Sequence, residues 1–160
     1  MLTPKLFRIL TVLFASASLV AFTGCGGDDD KKTDSGGSVE EYKKGAEDAA
    51  NDFKNSAESA SEQVKSATST EDKIKGLESL KASVTQAADD FENLDPPEDV
   101  KADNDQLVQE FRSLASDVDA VEQALKSQDQ QQAQDALTRL SKDQSAITQT
   151  IARIESKIGK

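Results

Sequence analysis

Apolar residues recur every three or four positions from Val39 onward, which is the spacing of an amphipathic α-helix. A proline pair and two runs of small polar residues interrupt this pattern. We therefore predict four helices, over residues 39–67, 70–94, 97–127 and 130–158, each about 40 Å long. The apolar stripes of the last three helices are Ile74, Leu77, Leu80, Val84, Ala87, Phe91 and Leu94; Val100, Leu107, Phe111, Leu114, Val118, Val121 and Leu125; and Ala133, Leu137, Leu140, Ile147, Ile151, Ile154 and Ile158.

The three interruptions contain residues that end and begin helices. Asp95-Pro96-Pro97 is the strongest break, because neither proline donates a backbone hydrogen bond and Asp95 is expected to cap the third helix. Ser69 is expected to cap the second helix, and Asp129 or Ser127 the fourth. Loops this short place consecutive helices side by side. The predicted fold is all-α, an antiparallel up-down-up-down four-helix bundle with coiled-coil-like packing; the open alternative joins the first two helices into one bent rod.

The first helix has an apolar stripe of a different kind. Tyr42, Phe53 and Val64 are spaced 11 residues apart, which corresponds to 3.67 residues per turn and keeps them on one nearly straight stripe. Most of the remaining stripe is alanine, so it buries little area per turn. Residues 42–67 resemble the 11-residue repeats of late-embryogenesis-abundant proteins and apolipoproteins. The resemblance implies a segment that is disordered in solution and becomes helical on contact with a surface.

Formal charge favours one helix pairing. Residues 97–127 carry 8 acidic and 3 basic side chains, whereas residues 130–160 carry 3 acidic and 5 basic ones. The third and fourth helices should therefore attract each other, by roughly a few tenths of a kcal/mol per exposed pair, and form the stable hairpin. The acids of the third helix are expected to face solvent rather than a metal ion. They are Asp103, Asp105, Glu110, Asp117, Asp119 and Glu122.

The first 25 residues have the organisation of an export signal. Lys5 and Arg8 precede an uncharged apolar run of 14 residues, from Ile9 to Phe22. This run is too short for a membrane span of about 20 residues and fits the apolar core of a signal peptide. Cys25 follows and is the only cysteine of the chain. An unpaired thiol is unusual in an exported protein, because it is exposed to oxidation.

Phe22-Thr23-Gly24-Cys25 resembles the lipobox of a bacterial lipoprotein precursor, with phenylalanine where that motif most often has leucine. The resemblance implies cleavage between Gly24 and Cys25 and attachment of acyl chains such as palmitate to Cys25. Two or three such chains anchor a protein stably, at about 0.8 kcal/mol per buried methylene. The alternatives are an ordinary secretory signal with an incidental cysteine, or an uncleaved anchor. The stretch Leu94-x-Pro96-Pro97-x-Asp99-Val100, followed by a heptad-like helix, a Ser-x-Asp turn and a second helix, also resembles a group of exported actinobacterial helical lipoproteins without an assigned activity. This resemblance covers about residues 70–155.

The chain is thus predicted to have three parts. Residues 1–24 are the signal peptide, residues 25–38 are the lipidated cysteine with a flexible Gly/Asp-rich tether, and residues 39–160 are the helical bundle. Residues 26–38 contain no large apolar side chain, and 13 residues of this composition have an r.m.s. reach of about 20 Å.

Composition excludes several functions. The chain has no histidine and no tryptophan. Without histidine it cannot form imidazole metal sites or the common nucleophile–histidine pairs of enzymes. Its one cysteine is assigned to lipid, so a thiolate metal site is also excluded. Without residues 1–24 the chain keeps 17 basic and 30 acidic residues, a formal net charge of −13. Such a surface repels nucleic acid and anionic lipid. We expect no enzyme, no cofactor, no metal and no nucleic-acid partner.

The expected function is that of a membrane-anchored extracytoplasmic lipoprotein. Its bundle would be an adaptor, spacer or protein-interaction module of the cell envelope, with an envelope protein as partner. One alternative is a small-ligand or stress-sensing bundle with a cavity lined by the small residues of the first helix. Another is a surface-coating or coiled-coil homo-oligomer built on the 11-residue repeat. The expected location is the outer face of the plasma membrane, or the outer membrane in a host with two membranes.

Overall fold

A computed structural model of the chain describes residues 37–159. Within that range the chain forms four α-helices and no strand. The helices are α1 (Val39–Ser66), α2 (Thr70–Glu92), α3 (Glu98–Ser127) and α4 (Gln130–Ile158). The predicted signal peptide, Cys25 and most of the predicted tether lie outside the described residues. The all-α, helical-bundle prediction is confirmed for the described part.

Side-chain caps begin three of the four helices. Ser38 accepts a hydrogen bond of 3.1 Å from the backbone N–H of Glu41, and its hydroxyl donates one to the Glu41 carboxylate. Ser69 accepts from the N–H of Asp72 at 3.0 Å, and Asp129 accepts from the N–H of Gln132 at 3.0 Å. The Ser69 cap makes α2 a separate helix from α1, because the backbone at Ala67 and Ser69 is extended.

The predicted cap of α3 by Asp95 is wrong. Pro97 occupies the N-cap position, no side chain caps this helix, and α3 begins at Glu98. The reason is the second proline: a residue that precedes proline is disfavoured in helical geometry, so Pro96 cannot open the helix. The carbonyl of Pro97 then accepts the first hydrogen bonds, from the N–H groups of Val100 and Lys101.

The connection between α3 and α4 is only two residues long and contains a left-handed residue. Gln128 has φ 57° and is the only non-glycine residue with positive φ among those described. Its N–H donates to the carbonyl of Leu125, and the N–H of Asp129 donates to that of Ala124, which is the Schellman pattern of helix termination. Because Asp129 also caps α4, the end of α3 and the start of α4 share this two-residue connection.

Each helix packs against the next along the chain, α1 on α2, α2 on α3 and α3 on α4. The centre of the core is aromatic. The ring of Phe53 meets Phe111 edge-on with centroids 5.2 Å apart, and Phe91 stacks on Phe111 at 5.7 Å. The largest fully buried side chains around this cluster are Tyr42, Leu77, Leu80, Val84, Val100, Leu107, Leu114, Val118, Leu140, Thr150 and Ile154.

The apolar stripes predicted from the sequence are mostly buried, with exceptions towards their ends and on α4. Ile74, Leu94 and Leu125 are only partly buried. On α4 the predicted core residue Ile151 is partly buried, whereas Thr150 is completely buried. Thr150 enters the interface because its hydroxyl has polar partners on both sides, Glu110 of α3 and Arg153 of α4.

Two helical glycines lead to opposite predictions for the same substitution. A Cβ on Gly76 would lie 2.9 Å from the backbone nitrogen and 3.2 Å from the Cα of Val64, so Gly76→Ala requires α1 and α2 to move apart. We expect it to lower the free energy of unfolding by about 1–3 kcal/mol, despite the gain in helix propensity. A Cβ on Gly45 would meet only the side chain of Leu94, 2.5 Å from its Cδ2.

Gly45→Ala is the matched control. The Leu94 side chain is partly buried and flexible, so it can turn away, and we expect a change between neutral and about 1 kcal/mol of stabilisation. Urea denaturation followed by circular dichroism measures both variants. Equal effects of the two substitutions would contradict the close α1–α2 contact at Gly76.

Candidate functional site

The predicted modification site, Gly24–Cys25, lies outside the described residues. What the structure describes is the point at which the predicted tether joins the bundle. A Cβ on Gly37 would lie 2.1 Å from the carbonyl oxygen of Asp95, so only glycine fits against the α2–α3 loop here. Ser38 then begins α1. Gly37, near the end of the predicted tether, therefore lies beside the proline loop.

A buried polar bridge lies one helical turn beyond this point. The hydroxyl of Tyr42 donates to Oδ1 of Asn104 at 2.9 Å, and Nδ2 of Asn104 donates to the carbonyl of Phe91 at 3.0 Å. Phe91 is in the last turn of α2, where backbone carbonyls have no partner within the helix. Asn104 thus completes the end of α2 and joins it to α1 and α3.

Tyr42 itself is almost completely buried. Burial, together with the negative charge of nearby Asp103, raises the pKa of its phenol well above the ordinary 10.0. The phenol therefore stays protonated and keeps its donor role in the folded protein at all ordinary pH values.

The expectation that the acids of α3 face solvent is wrong for half of them. Asp103, Asp117 and Glu122 are only 8%, 7% and 5% exposed. Each pairs with a cation: Asp103 with Arg153 and Lys157, Asp117 with Arg139, and Glu122 with Lys126.

These acids flank the apolar stripe of α3, where α4 covers one side of it. Long Arg and Lys stems lie over the interface and bring their charges to the carboxylates. Asp103 and Asp117 therefore bond to α4, whereas Glu122 bonds within α3. The attraction predicted between the last two helices is present as specific pairs.

Arg153 is the centre of the largest polar network. Its Nε donates to Asp103 Oδ1 at 3.0 Å, and its Nη2 donates to Gln106 Oε1 and to Thr150 Oγ1, each at 2.9 Å. Thr150 in turn donates to Glu110 Oε1 at 3.0 Å. The network joins one face of α3 to one face of α4.

Lys157 extends this network to the beginning of α3. Its Nζ lies 2.7 Å from Asp103 Oδ2 and donates to the carbonyl of Asp99 at 2.9 Å. That carbonyl is in the first turn of α3. The hydrogen bond from Lys157, and then that from Arg153, hold the pKa of the Asp103 carboxyl below its ordinary value, against the opposing effect of burial.

α4 also carries two half-buried carboxylates, Asp143 and Glu155, each with one oxygen that has no hydrogen-bond partner. Burial raises the pKa of Glu155 above its ordinary value of 4.5. Neither belongs to a cluster of acids: within residues 37–159 no group of three His, Cys, Asp or Glu side chains is placed to hold a metal ion.

A shallow groove runs along the outside of α2 towards α3 and is open to solvent. All but one of its lining residues have a polar or charged side chain, of both signs, and Lys81 pairs with Asp119 of α3. The small residues of α1, which the ligand-binding alternative would use to line a cavity, are instead packed into the core. The groove residues are Glu78, Lys81, Ala82, Thr85, Gln86, Asp89 and Glu122, and the packed alanines are Ala46, Ala49, Ala57 and Ala60.

In the part of the chain that the structure describes, no helix has the length and apolar character needed to cross a bilayer. Comparison with protein-family models, curated proteins and solved structures found no match.

Asp103→Asn tests the α3–α4 network. We expect it to lower the free energy of unfolding by about 1–2 kcal/mol near neutral pH, because it removes the carboxylate that pairs with Arg153 and Lys157. The loss is moderate because both cations are partly exposed. The folded-state pKa of Asp103 is lowered, so the advantage of the wild type is complete above the ordinary pKa of 3.8 and is lost as the pH falls through the lower folded value. Urea unfolding at pH 7 and at pH 2–3 measures it.

Glu92→Gln is the control for that experiment. Glu92 pairs with Arg112 at 2.6 Å, but both side chains are about half exposed, so the expected change is within roughly 0.5 kcal/mol. An Asp103 variant no less stable than the Glu92 variant would show that the Arg153 network contributes nothing to folding.

Tyr42→Phe tests the bridge between α1 and α3. Removal of the hydroxyl leaves Asn104 Oδ1 buried without its donor, which we expect to cost about 1–2 kcal/mol at pH 8. Because burial raises the folded-state pKa of Tyr42, its stabilising contribution is complete below the unfolded pKa of 10.0 and falls as the pH rises above it. The stability difference between wild type and variant should therefore shrink above pH 10 in urea titrations; a constant difference would contradict the buried phenol.

Proposed function

We propose that this chain is a membrane-anchored extracytoplasmic lipoprotein whose helical bundle is a non-enzymatic adaptor, spacer or protein-interaction module of the cell envelope. The observation that carries the proposal is the position of Cys25. It follows an uncharged apolar run of 14 residues and the small pair Thr23-Gly24, and it directly precedes a Gly/Asp-rich segment that leads into the capped start of α1. Lipid on Cys25 accounts for a lone cysteine in an exported chain. The anchor is then the outer face of the plasma membrane, or the outer membrane of a host with two membranes.

The bundle is proposed to be up-down-up-down with all neighbours antiparallel. In support, partners along the α1–α2 and α3–α4 interfaces run in opposite directions. Ser79 donates to Gln63 while Gly45 lies against Leu94, and Asp117 pairs with Arg139 while Asp103 pairs with Arg153. In such a bundle the tether, the proline loop and the end of α4 share one end. The opposite end, with the turns at residues 67–69 and 128–129, is presented away from the anchor.

The spacer role is supported by the negative net charge of the chain and by the pairing of its buried carboxylates within the bundle. A chain of net charge −13 without residues 1–24 is repelled by anionic headgroups, so the bundle stays at the distance that the tether allows, about 20 Å. The buried carboxylates of α3 pair with Arg and Lys side chains of the bundle itself, so these carboxylates stabilise the fold. A protein partner in the envelope is the occupant we propose for the exposed surface.

The other two functions have no specific observation in their favour. A small-ligand bundle needs an enclosed space, and the groove beside Lys81 is open. A coat or coiled coil in which intact bundles associate through the 11-residue stripe of α1 needs Tyr42, Phe53 and Val64 on the surface. In the structure Tyr42 and Val64 are buried in the core, and Phe53 packs on Phe111.

Cys25→Ser tests the anchor. The wild-type chain should fractionate with membranes, and its intact mass should correspond to residues 25–160 plus two or three acyl chains. The variant should keep the helical circular dichroism of the wild type, because Cys25 lies outside the bundle, but should be unprocessed or released from the membrane in detergent partitioning. Unchanged partitioning of the variant, or an unacylated wild-type chain, would contradict the lipoprotein assignment.

A further inference from the structure

The turn between α1 and α2 differs in kind from the other two. Pro96 and Pro97 prevent a continuous helix between α2 and α3, and the left-handed Gln128 ends α3. The α1–α2 turn, Ala67-Thr68-Ser69, contains neither proline nor glycine and has no positive φ. The turn depends on the extended backbone at Ala67 and Ser69 and on the Ser69 cap. All three residues are compatible with a helix at a modest cost in propensity.

The contacts of α1 would allow this helix to leave its own bundle and pack on a second copy of the chain. Its side of the core consists of four buried alanines together with Tyr42, Phe53 and Val64. Ion pairs join α2 to α3 and α3 to α4, so α2, α3 and α4 stay connected to each other when α1 leaves. When α1 leaves, it uncovers a groove around Phe111, and the α1 of a second copy is complementary to that groove because it carries the same Phe53.

We propose that α1 exchanges between two copies of this chain, with residues 67–69 straightening into a continuous α1–α2 helix and each α1 docking in the groove of its partner. Such a helix would have 54 residues, from Val39 to Glu92, and a length of about 81 Å. The second copy fits because the contacts of α1 are the same in both states, so the hinge and the concentration of the chain decide between them. This proposal does not depend on the lipid, although confinement to a membrane would favour the pair.

A crosslink between two differently labelled chains detects the exchange. Gln63 of α1 and Ser79 of α2 are joined by a hydrogen bond of 3.3 Å, and both are away from the central core. The full chain with Gln63→Cys and a second full chain with Ser79→Cys are co-expressed, and intact cells are treated with a short membrane-permeant bismaleimide, so that the anchored and the released protein are both sampled. In the exchanged dimer, position 63 of one chain faces position 79 of the other, so a heterodimeric band is expected.

Three controls are needed to interpret the crosslinking result. A single chain with both cysteines should crosslink internally, which establishes that the reagent spans the pair. Asn55→Cys, on an exposed part of α1, replaces Gln63→Cys as the matched control and should give at least 10-fold less heterodimer. The chain with Cys25 alone should give none. If the heterodimer is no more abundant than with Asn55→Cys while the double variant crosslinks internally, the proposal is overturned.

Hinge variants then test the mechanism. Thr68→Pro suits the turn, because Ala67 already has the φ −64° and ψ 123° that a residue before proline prefers, but it interrupts the straight helix. We expect it to lower the dimerisation constant about 100-fold per hinge, whereas Ser69→Ala, which removes the cap, should raise it about 10-fold. The internal crosslink of the double variant in the Thr68→Pro background confirms that the bundle still folds. A heterodimer unaffected by Thr68→Pro would overturn the proposal.

Discussion

Phe111 is where three of the four helices meet, and the rest of the bundle is arranged around its ring. Phe53 reaches it from α1 and Phe91 from α2, while Phe111 belongs to α3. Aromatic pairs contribute beyond the area they bury, by about 0.5–1.5 kcal/mol each. This matters most for α1, because alanines fill much of its buried stripe and its hold on the bundle rests on Tyr42, Phe53 and Val64. α4 is held differently, by its apolar stripe and by the charges that flank it.

The two halves of the bundle therefore differ in chemistry. α3 and α4 share buried carboxylates and the Arg153 network, which specify one register, since a displaced helix would leave Asp103 and Asp117 buried without cations. α1 and α2 share a close, largely apolar contact at Gly76 and Val64. The proposed tether would thus attach to the helix with the fewest large core side chains, beside the Tyr42–Asn104 bridge that joins it to α2 and α3.

Much of the architecture could be predicted because it depends on local rules. The caps at Ser69 and Asp129 follow from residue type next to a periodic segment, and the stripes of Leu, Ile, Val and Phe follow from helical spacing. Asp95 failed as a cap because two prolines in succession move the first helical residue to Glu98. The acids of α3 were misplaced because spacing identifies the edge of a stripe but not whether a neighbouring helix covers that edge.

By itself, the sequence determined the helical segments, their apolar faces, the attraction between α3 and α4, and the N-terminal pattern around Cys25 on which the proposed function depends. These features are properties of neighbouring residues and of charge. Only the tertiary structure decided that Asp103 is bound by Arg153 and Lys157, that Thr150 rather than Ile151 is completely buried, and that Gly76 touches the backbone of Val64. Those outcomes depend on the distance and rotation between helices, which are set by the packing of all side chains together and are not encoded at any one position.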